Sequence, residues 1–254
     1  MSTSSPVAVV TGAGRGIGRA VAIRLSAEGY RVALTSRTRV DLDETARLCR
    51  GETLVVPADM TDTAAIDALF TGLETTWGAP AEVVVVAAGV SVAAPLAKTT
   101  DEQWQSMLEV NLTAPFRCIR RAVPAMVLRG HGRIVVIASV AAKHGEPYIS
   151  AYTASKHGVL GVVRSAAAEL ASKGVTVNAV CPGYVDTPMT DQTVANIARV
   201  TGRAPEDARA VLAAKQPNRR LVTVEEVAEA TWSCIANAAI NGQGLTVDGG
   251  AVQS

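Results

Sequence analysis

The chain has 254 residues, 48% of them hydrophobic and 19% charged, and its 24 lysines and arginines nearly balance 23 aspartates and glutamates. This composition is too apolar for a disordered chain, and it lacks the basic excess of a general nucleic-acid-binding protein. The longest apolar runs are far shorter than a membrane-spanning helix, and the N-terminus carries no apolar segment typical of a secretory signal.

Short hydrophobic runs alternate with amphipathic stretches along the chain. The hydrophobic runs predict seven strands: Val7–Val10, Val32–Thr35, Leu54–Pro57, Val83–Val86, Ile134–Ala138, Thr176–Val180 and Leu245–Val247. The amphipathic stretches predict six helices: Ile17–Glu28, Leu42–Cys49, Ala64–Thr75, Asp101–Arg129, Ala151–Ser172 and Val224–Asn237. Because the strands are almost continuously hydrophobic, we expect them to be buried on both faces. The predicted fold is a single α/β domain over residues 1–254, a Rossmann-type doubly wound parallel sheet of about seven strands with helices on both faces.

Two of these helices carry a start signal in the sequence. Thr100-x-x-Gln103 and Thr223-x-x-Glu226 both fit the capping box, in which a hydroxyl and the side chain three residues later satisfy free backbone amides reciprocally. We therefore expect one helix to begin after Thr100 and another after Thr223.

One segment interrupts the alternation of strands and helices. Between Pro188 and Arg220 two helical stretches, Val194–Val200 and Glu206–Lys215, follow each other without a strand. Insertions beyond the carboxyl end of a strand often cover a substrate. We predict a substrate lid around residues 186–220, and the alternative is a helical ornament on the surface.

A glycine-rich turn follows the first predicted strand. In Thr11-Gly12-Ala13-Gly14-Arg15-Gly16-Ile17-Gly18 the spacing is G-x-x-x-G-x-G, on Gly12, Gly16 and Gly18. Glycines at a strand-to-helix turn let the backbone approach a pyrophosphate, which the free amides and the dipole of the helix N-terminus attract. The turn predicts a nucleotide site, and the alternative is a purely structural turn.

The end of the second predicted strand distinguishes between the two nicotinamide cofactors. An NAD site usually offers a carboxylate there for the ribose 2′-hydroxyl, but this chain has Ser36 followed by Arg37. A guanidinium can bind a 2′-phosphate with paired hydrogen bonds, and Arg15 could reach the same phosphate. These residues favour NADP(H), although Asp41 and Asp43 partly offset the positive field and Arg37 could be an ordinary solvated charge.

Tyr152 and Lys156 are four residues apart at the start of a predicted helix, so they share one face. A nearby ammonium stabilises a phenolate and lowers its pKa, which makes this pair a candidate general acid and base. Ser139 lies just past the carboxyl end of strand Ile134–Ala138, where ligands bind in parallel sheets. No comparable pattern points to a metal, because the cysteines are far apart and the histidines form no ligand spacing.

Together these motifs resemble the short-chain dehydrogenase/reductase family. The resemblance runs from Val7 to Asp248-Gly249-Gly250 and rests on the glycine turn, Asn111, Ser139, Tyr152-Thr153-Ala154-Ser155-Lys156 and Pro182-Gly183. One departure is Val86-Ala87-Ala88-Gly89, which stands where the family usually has Asn-Asn-Ala-Gly. Ala88 and Gly89 still allow a close approach of the backbone to a cofactor.

The resemblance implies four catalytic residues. Tyr152 would donate a proton to the substrate carbonyl oxygen during reduction, and Ser139 would hydrogen-bond that oxygen. Lys156 would lower the Tyr152 pKa and bind the nicotinamide ribose, and Asn111 would hold a water in a proton relay. The substrate would contact Ser139, Tyr152 and Tyr184.

The cofactor site implied by the motifs and the resemblance is larger. Its predicted residues are Gly12, Arg15, Gly16, Ile17, Gly18, Ser36, Arg37, Asp59, Met60, Ala88, Gly89, Tyr152, Lys156, Pro182, Gly183, Val185 and Thr187. The resemblance assigns Asp59 to the adenine. It assigns the stretch Pro182-Gly183-Tyr184-Val185-Asp186-Thr187 to the nicotinamide amide and the start of the lid.

The resemblance also implies the reaction, which is hydride transfer between NADP(H) and a ketone or a secondary alcohol. Likeness to 3-oxoacyl-thioester reductases and polyketide ketoreductases favours a 3-oxoacyl-type or similarly bulky ketone, with acyl thioesters among the candidates. One alternative is an NAD-dependent dehydrogenase of hydroxyacyl thioesters or secondary alcohols. A second is a dinucleotide-sensing protein without turnover. We expect a cytoplasmic homotetramer that binds neither nucleic acid nor membranes and needs no metal.

Overall fold

Seven parallel strands form one sheet, in the order β3-β2-β1-β4-β5-β6-β7. The computed structural model describes residues 5–253, so the predicted domain's residues 1–4 and 254 lie outside the described residues. The strands are β1 Val7–Thr11, β2 Arg31–Ser36, β3 Thr53–Pro57, β4 Val83–Val86, β5 Gly132–Ile137, β6 Val175–Pro182 and β7 Gly244–Val247. Each of the seven predicted strands is present, and the predicted parallel sheet is confirmed.

Helices cover both faces of this sheet. They are α1 Gly16–Ala27, α2 Arg39–Leu48, α3 Thr63–Trp77, α4 Asp101–Leu108, α5 Ala114–Arg129, α6 Ser150–Leu170, α7 Pro188–Thr201, α8 Pro205–Ala214 and α9 Val224–Ala236. Apolar side chains of α3, α5 and α6 pack on one face, and those of α1, α2 and α9 pack on the other. The doubly wound arrangement is therefore confirmed, as are both capping boxes, at the starts of α4 and α9.

The prediction of one α-helix over Asp101–Arg129 is wrong. A π-helical turn, Glu109–Thr113, separates α4 from α5, and the amide of Ala114 bonds to the carbonyl of Glu109 five residues back. Pro115 gives the physical reason. In an α-helix residue 115 would donate to the carbonyl of Asn111, but proline has no N–H and its ring crowds that carbonyl. Single π-turns inside helices often mark functional positions, and this one carries Asn111.

The order of the strands creates a crevice at the carboxyl edge of the sheet. β1 pairs with β2 on one side and with β4 on the other, so the crossovers leave β1 and β4 in opposite directions. Ligands of doubly wound sheets bind at this switch point. The loops that follow β1, β2, β4, β5 and β6 all open toward the same edge.

The two helices α7 and α8 follow β6 and pack on each other through a small apolar cluster. Val194, Ala208 and Leu212 are its buried members, and Tyr184 packs against it. The two ends of the segment meet in a parallel β-bridge between Val185 and Val222. Within residues 5–253 no helix is both long and apolar enough to span a membrane.

Candidate active site

The glycine turn after β1 is shaped so that its backbone lies against neighbouring backbone. Gly12 has a φ of 66°, and a Cβ there would lie 2.8 Å from the amide nitrogen of Ala88. A Cβ on Gly18 would collide with the carbonyl oxygen of Gly12. Side chains at these positions would close the cradle between the turn and the end of β4. The glycines are therefore required by the geometry of the turn itself.

Helix α1 begins inside this turn and presents its N-terminus to the crevice. Arg15 is the N-cap residue, and within the described chain no side chain caps this helix and no acidic residue occupies its first turn. The amides of the first turn, among them those of Ile17 and Gly18, thus remain available to an anion. This is the arrangement expected of a pyrophosphate site.

The end of β2 provides polar groups that lack protein partners. The hydroxyl of Ser36 is buried and has no hydrogen-bond partner among residues 5–253. In the same part of the chain, the exposed side chains of Arg15 and Arg37 are in no ion pair, whereas Asp43 pairs with Arg39 at 3.6 Å. An unsatisfied hydroxyl beside two free cations fits a bound phosphate.

Asp59 and Met60 follow β3 at the same edge. The exposed carboxylate of Asp59 accepts hydrogen bonds from the Thr61 amide at 2.9 Å and from the Thr61 hydroxyl at 2.8 Å, and these bonds lower the pKa of Asp59. Arg37 lowers this pKa further by its charge. Met60 is buried in the core on the side of α3. The geometry leaves Asp59 at the rim, near the residue that would bind a 2′-phosphate.

Thr11, which is not among the predicted site residues, holds the end of β4. The buried hydroxyl of Thr11 accepts hydrogen bonds from the amides of Ala87 and Ala88, at 3.1 and 3.2 Å. Thr11 thus braces the stretch where the family usually has two asparagines. The backbone of Gly89 remains close to the catalytic groups, since a Cβ there would lie 3.8 Å from Lys156 Nζ.

Asn111 is buried and fastens the loop after β4 to helix α6. Its Oδ1 accepts from the Val90 amide at 3.0 Å, and its Nδ2 donates to the Val90 carbonyl at 3.0 Å and to Ser155 Oγ at 3.2 Å. Both amide protons are therefore committed to protein partners. The backbone carbonyl of Asn111 is the group that Pro115 cannot reach with an N–H.

Ser139, Tyr152 and Lys156 converge at the carboxyl end of β5. Ser139 is the second residue after the end of β5, and its Oγ accepts from the Ala141 amide at 3.1 Å. Lys156 is buried on α6, and its Nζ donates to the Ile137 carbonyl at 2.9 Å and lies 5.6 Å from the centre of the Tyr152 ring. The side chain of Ser139 acts to lower the pKa of the half-buried Tyr152.

Burial is the main influence on the protonation of Tyr152 and Lys156. Burial raises the pKa of Tyr152, and the hydrogen bond with Ser139 acts in the opposite direction but does not reverse the shift. Burial therefore decides the net direction, and the effect of Lys156 on the Tyr152 pKa stays a prediction. Burial also lowers the pKa of Lys156 to about 8. Both groups are thus shifted toward their neutral forms by removal from water.

The loop after β6 is tightly built. Pro182 ends the strand, and the amide of Gly183 donates to the Val247 carbonyl at 3.0 Å. A Cβ on Gly183 would collide with the side chain of Gln216. Val185 is buried, and Thr187 caps α7 by accepting from the Thr190 amide at 3.4 Å. The predicted nicotinamide loop therefore lies between the sheet and α7.

Sequence patterns miss three residues on the substrate side. The buried Gln216 accepts from the Tyr184 amide at 3.2 Å and donates to the Tyr184 carbonyl at 3.3 Å. Glu146 and Lys215 contact the Tyr184 hydroxyl. Neither a motif nor a periodicity marks Glu146, Lys215 or Gln216, because their partners are distant in the sequence. Thr11 is missed for the same reason.

The described residues offer no obvious metal centre. Among residues 5–253, no group of three or more His, Cys, Asp and Glu side chains is placed to hold a metal ion. The four cysteines are free thiols. The groups that the crevice brings together are a phenol, a hydroxyl, an ammonium and a glycine-rich cradle.

Comparison with known proteins agrees with this geometry. Residues 6–198 match the family model described as short chain dehydrogenase. The chain is 37% identical to the D-beta-hydroxybutyrate dehydrogenase of Rhizobium meliloti, covering 96% of this chain and 97% of that protein. It is 32% identical to the 3-oxoacyl-[acyl-carrier-protein] reductase of Escherichia coli, covering 98% of both chains.

A solved structure supports the same assignment. The fold matches that of an actinorhodin polyketide ketoreductase variant crystallised with NADPH, with a TM-score of 0.94 and 38% sequence identity. The match covers 99% of each chain. The resemblance to 3-oxoacyl reductases and polyketide ketoreductases is therefore confirmed at the level of sequence and fold.

Proposed function

Because the chain belongs to the short-chain dehydrogenase/reductase family of oxidoreductases, we propose that it transfers a hydride between NADP(H) and a ketone or secondary alcohol. The observation that carries this proposal is the convergence of Tyr152, Ser139 and Lys156 beside the glycine cradle. A proton donor, a hydrogen-bond donor and a cation thus share one edge with a dinucleotide-shaped crevice.

The protein's own groups would manage the proton and the developing charge. When bound, the reduced nicotinamide supplies the hydride. Tyr152, whose raised pKa keeps its phenol protonated, donates that proton to the carbonyl oxygen. Ser139 hydrogen-bonds the same oxygen and stabilises its negative charge in the transition state. Lys156, held by the Ile137 carbonyl, stabilises the phenolate that forms and holds the nicotinamide ribose.

Asn111 would complete a proton relay through its backbone. Its side-chain protons are engaged by Val90 and Ser155, whereas its carbonyl lacks the usual donor because Pro115 has no N–H. We therefore assign the relay water to this carbonyl. The side chain positions the loop after β4, and the π-turn would leave the carbonyl free to accept a hydrogen bond from a water.

The preference for NADP(H) rests on the end of β2. Ser36, Arg15 and Arg37 offer an unpartnered hydroxyl and two cations where an NAD site would place a carboxylate. Asp59 would contact the adenine, and Met60, Ala88, Gly89, Gly183, Val185 and Thr187 would line the remaining cofactor surface. The NADPH in the ketoreductase structure that this chain resembles supports the same choice.

The substrate class that we favour is a 3-oxoacyl compound or a similarly bulky ketone, with Tyr184 and the predicted lid of residues 186–220 on the substrate side. The match to a 3-oxoacyl reductase supports this class. A hydroxy-acid dehydrogenase is the second candidate, favoured by the 37% identity to the Rhizobium meliloti protein.

Exposed aromatic side chains and free thiols bear on the oligomeric state and the cellular compartment of the protein. Trp104 on α4 and Phe116 on α5 expose 42% and 43% of their surface, which suits a contact between subunits, and we expect a homotetramer. The four free thiols suit a reducing compartment such as the cytoplasm.

An activity screen with NADPH and NADH in parallel tests the function. Wild-type protein should reduce 3-oxoacyl thioesters, cyclic ketones or aryl ketones with NADPH, and Tyr152→Phe should lower kcat by about 10²–10⁴-fold, the usual contribution of a general acid. NADPH titration of the Tyr152→Phe protein should still show binding. Tight NADPH binding without turnover of any ketone or alcohol would instead identify a sensor, and a strong preference for NADH would overturn the interpretation of Ser36 and Arg37.

A further inference from the structure

A half-buried arginine on α5 connects a loop at the cofactor end of the crevice to a helical turn at its catalytic end. Arg117 Nη1 donates to the Thr61 carbonyl at 2.7 Å, in the loop that follows β3. The same nitrogen donates to Glu109 Oε1 at 2.5 Å, in the π-turn between α4 and α5. The side chain of Arg117 is 24% exposed and that of Glu109 is 29% exposed, so water competes only in part for this ion pair.

The first partner of Arg117 belongs to the loop that carries Asp59. The Asp59 carboxylate accepts hydrogen bonds from the Thr61 amide and the Thr61 hydroxyl, and the Asp62 amide donates to the Asp59 carbonyl at 3.1 Å. These bonds close the loop into a tight turn. A side chain that holds the Thr61 carbonyl therefore also fixes Asp59, the residue that would contact the adenine.

The second partner of Arg117 begins the π-turn that carries Asn111. Asn111 Nδ2 donates to Ser155 Oγ at 3.2 Å, in the residue next to Lys156. A Cβ on Gly89 would lie 3.3 Å from Asn111 Oδ1 and 3.8 Å from Lys156 Nζ, so these two groups flank the same point of the crevice. Contacts thus connect the turn that begins at Glu109 to the proposed reacting groups.

The π-turn is the reason that Glu109 and Arg117 can meet. In a regular α-helix, residues eight apart are rotated about 80° from each other. The extra residue of a π-turn compensates for this rotation, so the two side chains lie on one face, as residues seven apart do in an α-helix. The ion pair therefore favours the π form of the turn, which is the form that places Asn111.

From these contacts we propose that Arg117 is a positioning residue that connects the adenine end of the cofactor site to the catalytic end. Through Thr61 it holds Asp59, and through Glu109 it holds the turn with Asn111. The inference rests on the proposed oxidoreductase function and deepens it, because cofactor binding and turnover would both depend on one side chain outside the reacting groups.

Arg117→Met tests the inference, because methionine keeps an apolar stem but can make neither hydrogen bond. The dissociation constant for NADPH should rise about fivefold, the equivalent of one lost hydrogen bond. At saturating NADPH, kcat for the best ketone of the activity screen should fall about tenfold, because small displacements of catalytic groups are costly. Arg117→Lys should restore most of both losses, since an ammonium group has enough donors for both acceptors.

Glu109→Ala removes the contact at the catalytic end and leaves the hydrogen bond between Arg117 and Thr61 in place. We therefore expect kcat to fall about tenfold while the dissociation constant for NADPH stays within about twofold of wild type. An unchanged kcat in this variant would overturn the inference. Glu109→Ala also provides the test if the Arg117→Met protein does not fold.

Arg121→Met is the matched control. Arg121 lies one turn further along α5, is 27% exposed, and pairs with Asp67 at 3.5 Å and with Glu74 at 3.3 Å, both on α3. Its loss should lower stability by a comparable amount and leave kcat and the dissociation constant for NADPH unchanged. Equal effects of Arg117→Met and Arg121→Met on these two constants would identify an ordinary structural ion pair and overturn the inference. A change in only one constant of Arg117→Met, or no rescue by Arg117→Lys, would also overturn it.

These outcomes remain distinguishable from failure of the proposed function. If wild-type protein reduces ketones and Tyr152→Phe does not, but Arg117→Met behaves like Arg121→Met, only the inference about Arg117 fails. If wild-type protein reduces no ketone with either cofactor, the proposed function fails and the inference fails with it.

Discussion

The cofactor side and the substrate side of the crevice are built in different ways. On the cofactor side, Gly12 and Gly18 lie within one short turn and contact backbone atoms. On the substrate side, Glu146, Tyr184 and Gln216 come from three separate loops. The side chain of Glu146 bonds to the Tyr184 hydroxyl, and the side chain of Gln216 bonds to the Tyr184 backbone. The first arrangement is local in the sequence and the second is not.

This difference explains which parts of the site tolerate change. The backbone cradle requires residues without a Cβ, because a Cβ at Gly12 or Gly18 would collide with backbone atoms that cannot move away. A side-chain network depends on which groups are paired, so another set of residues could hold the same loops. We therefore expect added atoms to disrupt the cofactor side and lost hydrogen bonds to disrupt the substrate side.

The largest expected effect comes from adding one methyl group to the cofactor side. Gly18→Ala places a Cβ against the Gly12 carbonyl oxygen, and we expect it to lower the free energy of unfolding by about 3 kcal/mol, the upper end for overpacking, because the contacted atom is backbone. The dissociation constant for NADPH should rise at least about tenfold. Urea denaturation and NADPH titration measure the two effects.

Gly72→Ala is the matched control for this substitution. Gly72 lies inside α3, and a Cβ there would meet nothing within 4 Å. Alanine should therefore stabilise the protein by about 0.5–1 kcal/mol through its helix propensity. If the two alanine variants had similar stabilities and NADPH affinities, the cradle would not be the feature that makes Gly18 necessary.

The next effect concerns the substrate side. Gln216→Leu removes the acceptor of the Tyr184 amide in a buried position, and we expect a loss of about 2 kcal/mol of unfolding free energy. The KM for the ketone should rise because Tyr184 loses its backbone support, while the dissociation constant for NADPH stays within about twofold. Steady-state kinetics and NADPH titration separate the two sides of the crevice.

Gln243→Leu provides the control for this change. Gln243 is exposed, so the same substitution should alter stability by less than about 0.5 kcal/mol. A Gln216→Leu protein with weakened NADPH binding and an unchanged KM for the ketone would contradict the division into two sides.

The same division determines how much the sequence could predict. The seven strands and the glycine turn follow from short-range patterns, since a buried parallel strand reads as one hydrophobic run and the turn is contiguous. Tyr152 and Lys156 are recognisable because four residues on a helix bring them to one face. The two helices predicted in the lid segment are present as α7 and α8. They could be predicted because helical periodicity is also a short-range pattern.

Other features depend on contacts that no local pattern records. The π-turn at Asn111 depends on Pro115, whose effect is visible only when the hydrogen bond that it removes is considered. Thr11 bonds to amides 76 and 77 residues away, and Gln216 reaches Tyr184 across 32 residues. The direction of the Tyr152 pKa shift also depends on burial by the whole fold, which the spacing to Lys156 does not reveal.

The smallest expected effect concerns the proposed 2′-phosphate site at the end of β2, which exposed side chains form. Arg37→Ala removes a cation from the end of β2, and we expect the dissociation constant for NADPH to rise about tenfold, because hydrogen bonds to charged groups contribute about 1.5–3 kcal/mol. The constant for NADH should change less than about twofold, since NADH has no 2′-phosphate. Arg39→Ala is the control, because Arg39 lies two residues beyond Arg37 but already pairs with Asp43, so its loss should leave both constants unchanged. Equal losses for NADPH and NADH would mean that Arg37 supports the cradle and does not bind the 2′-phosphate. A loss of affinity for NADPH alone would show that backbone atoms form the dinucleotide site and that exposed side chains determine whether NADPH or NADH binds.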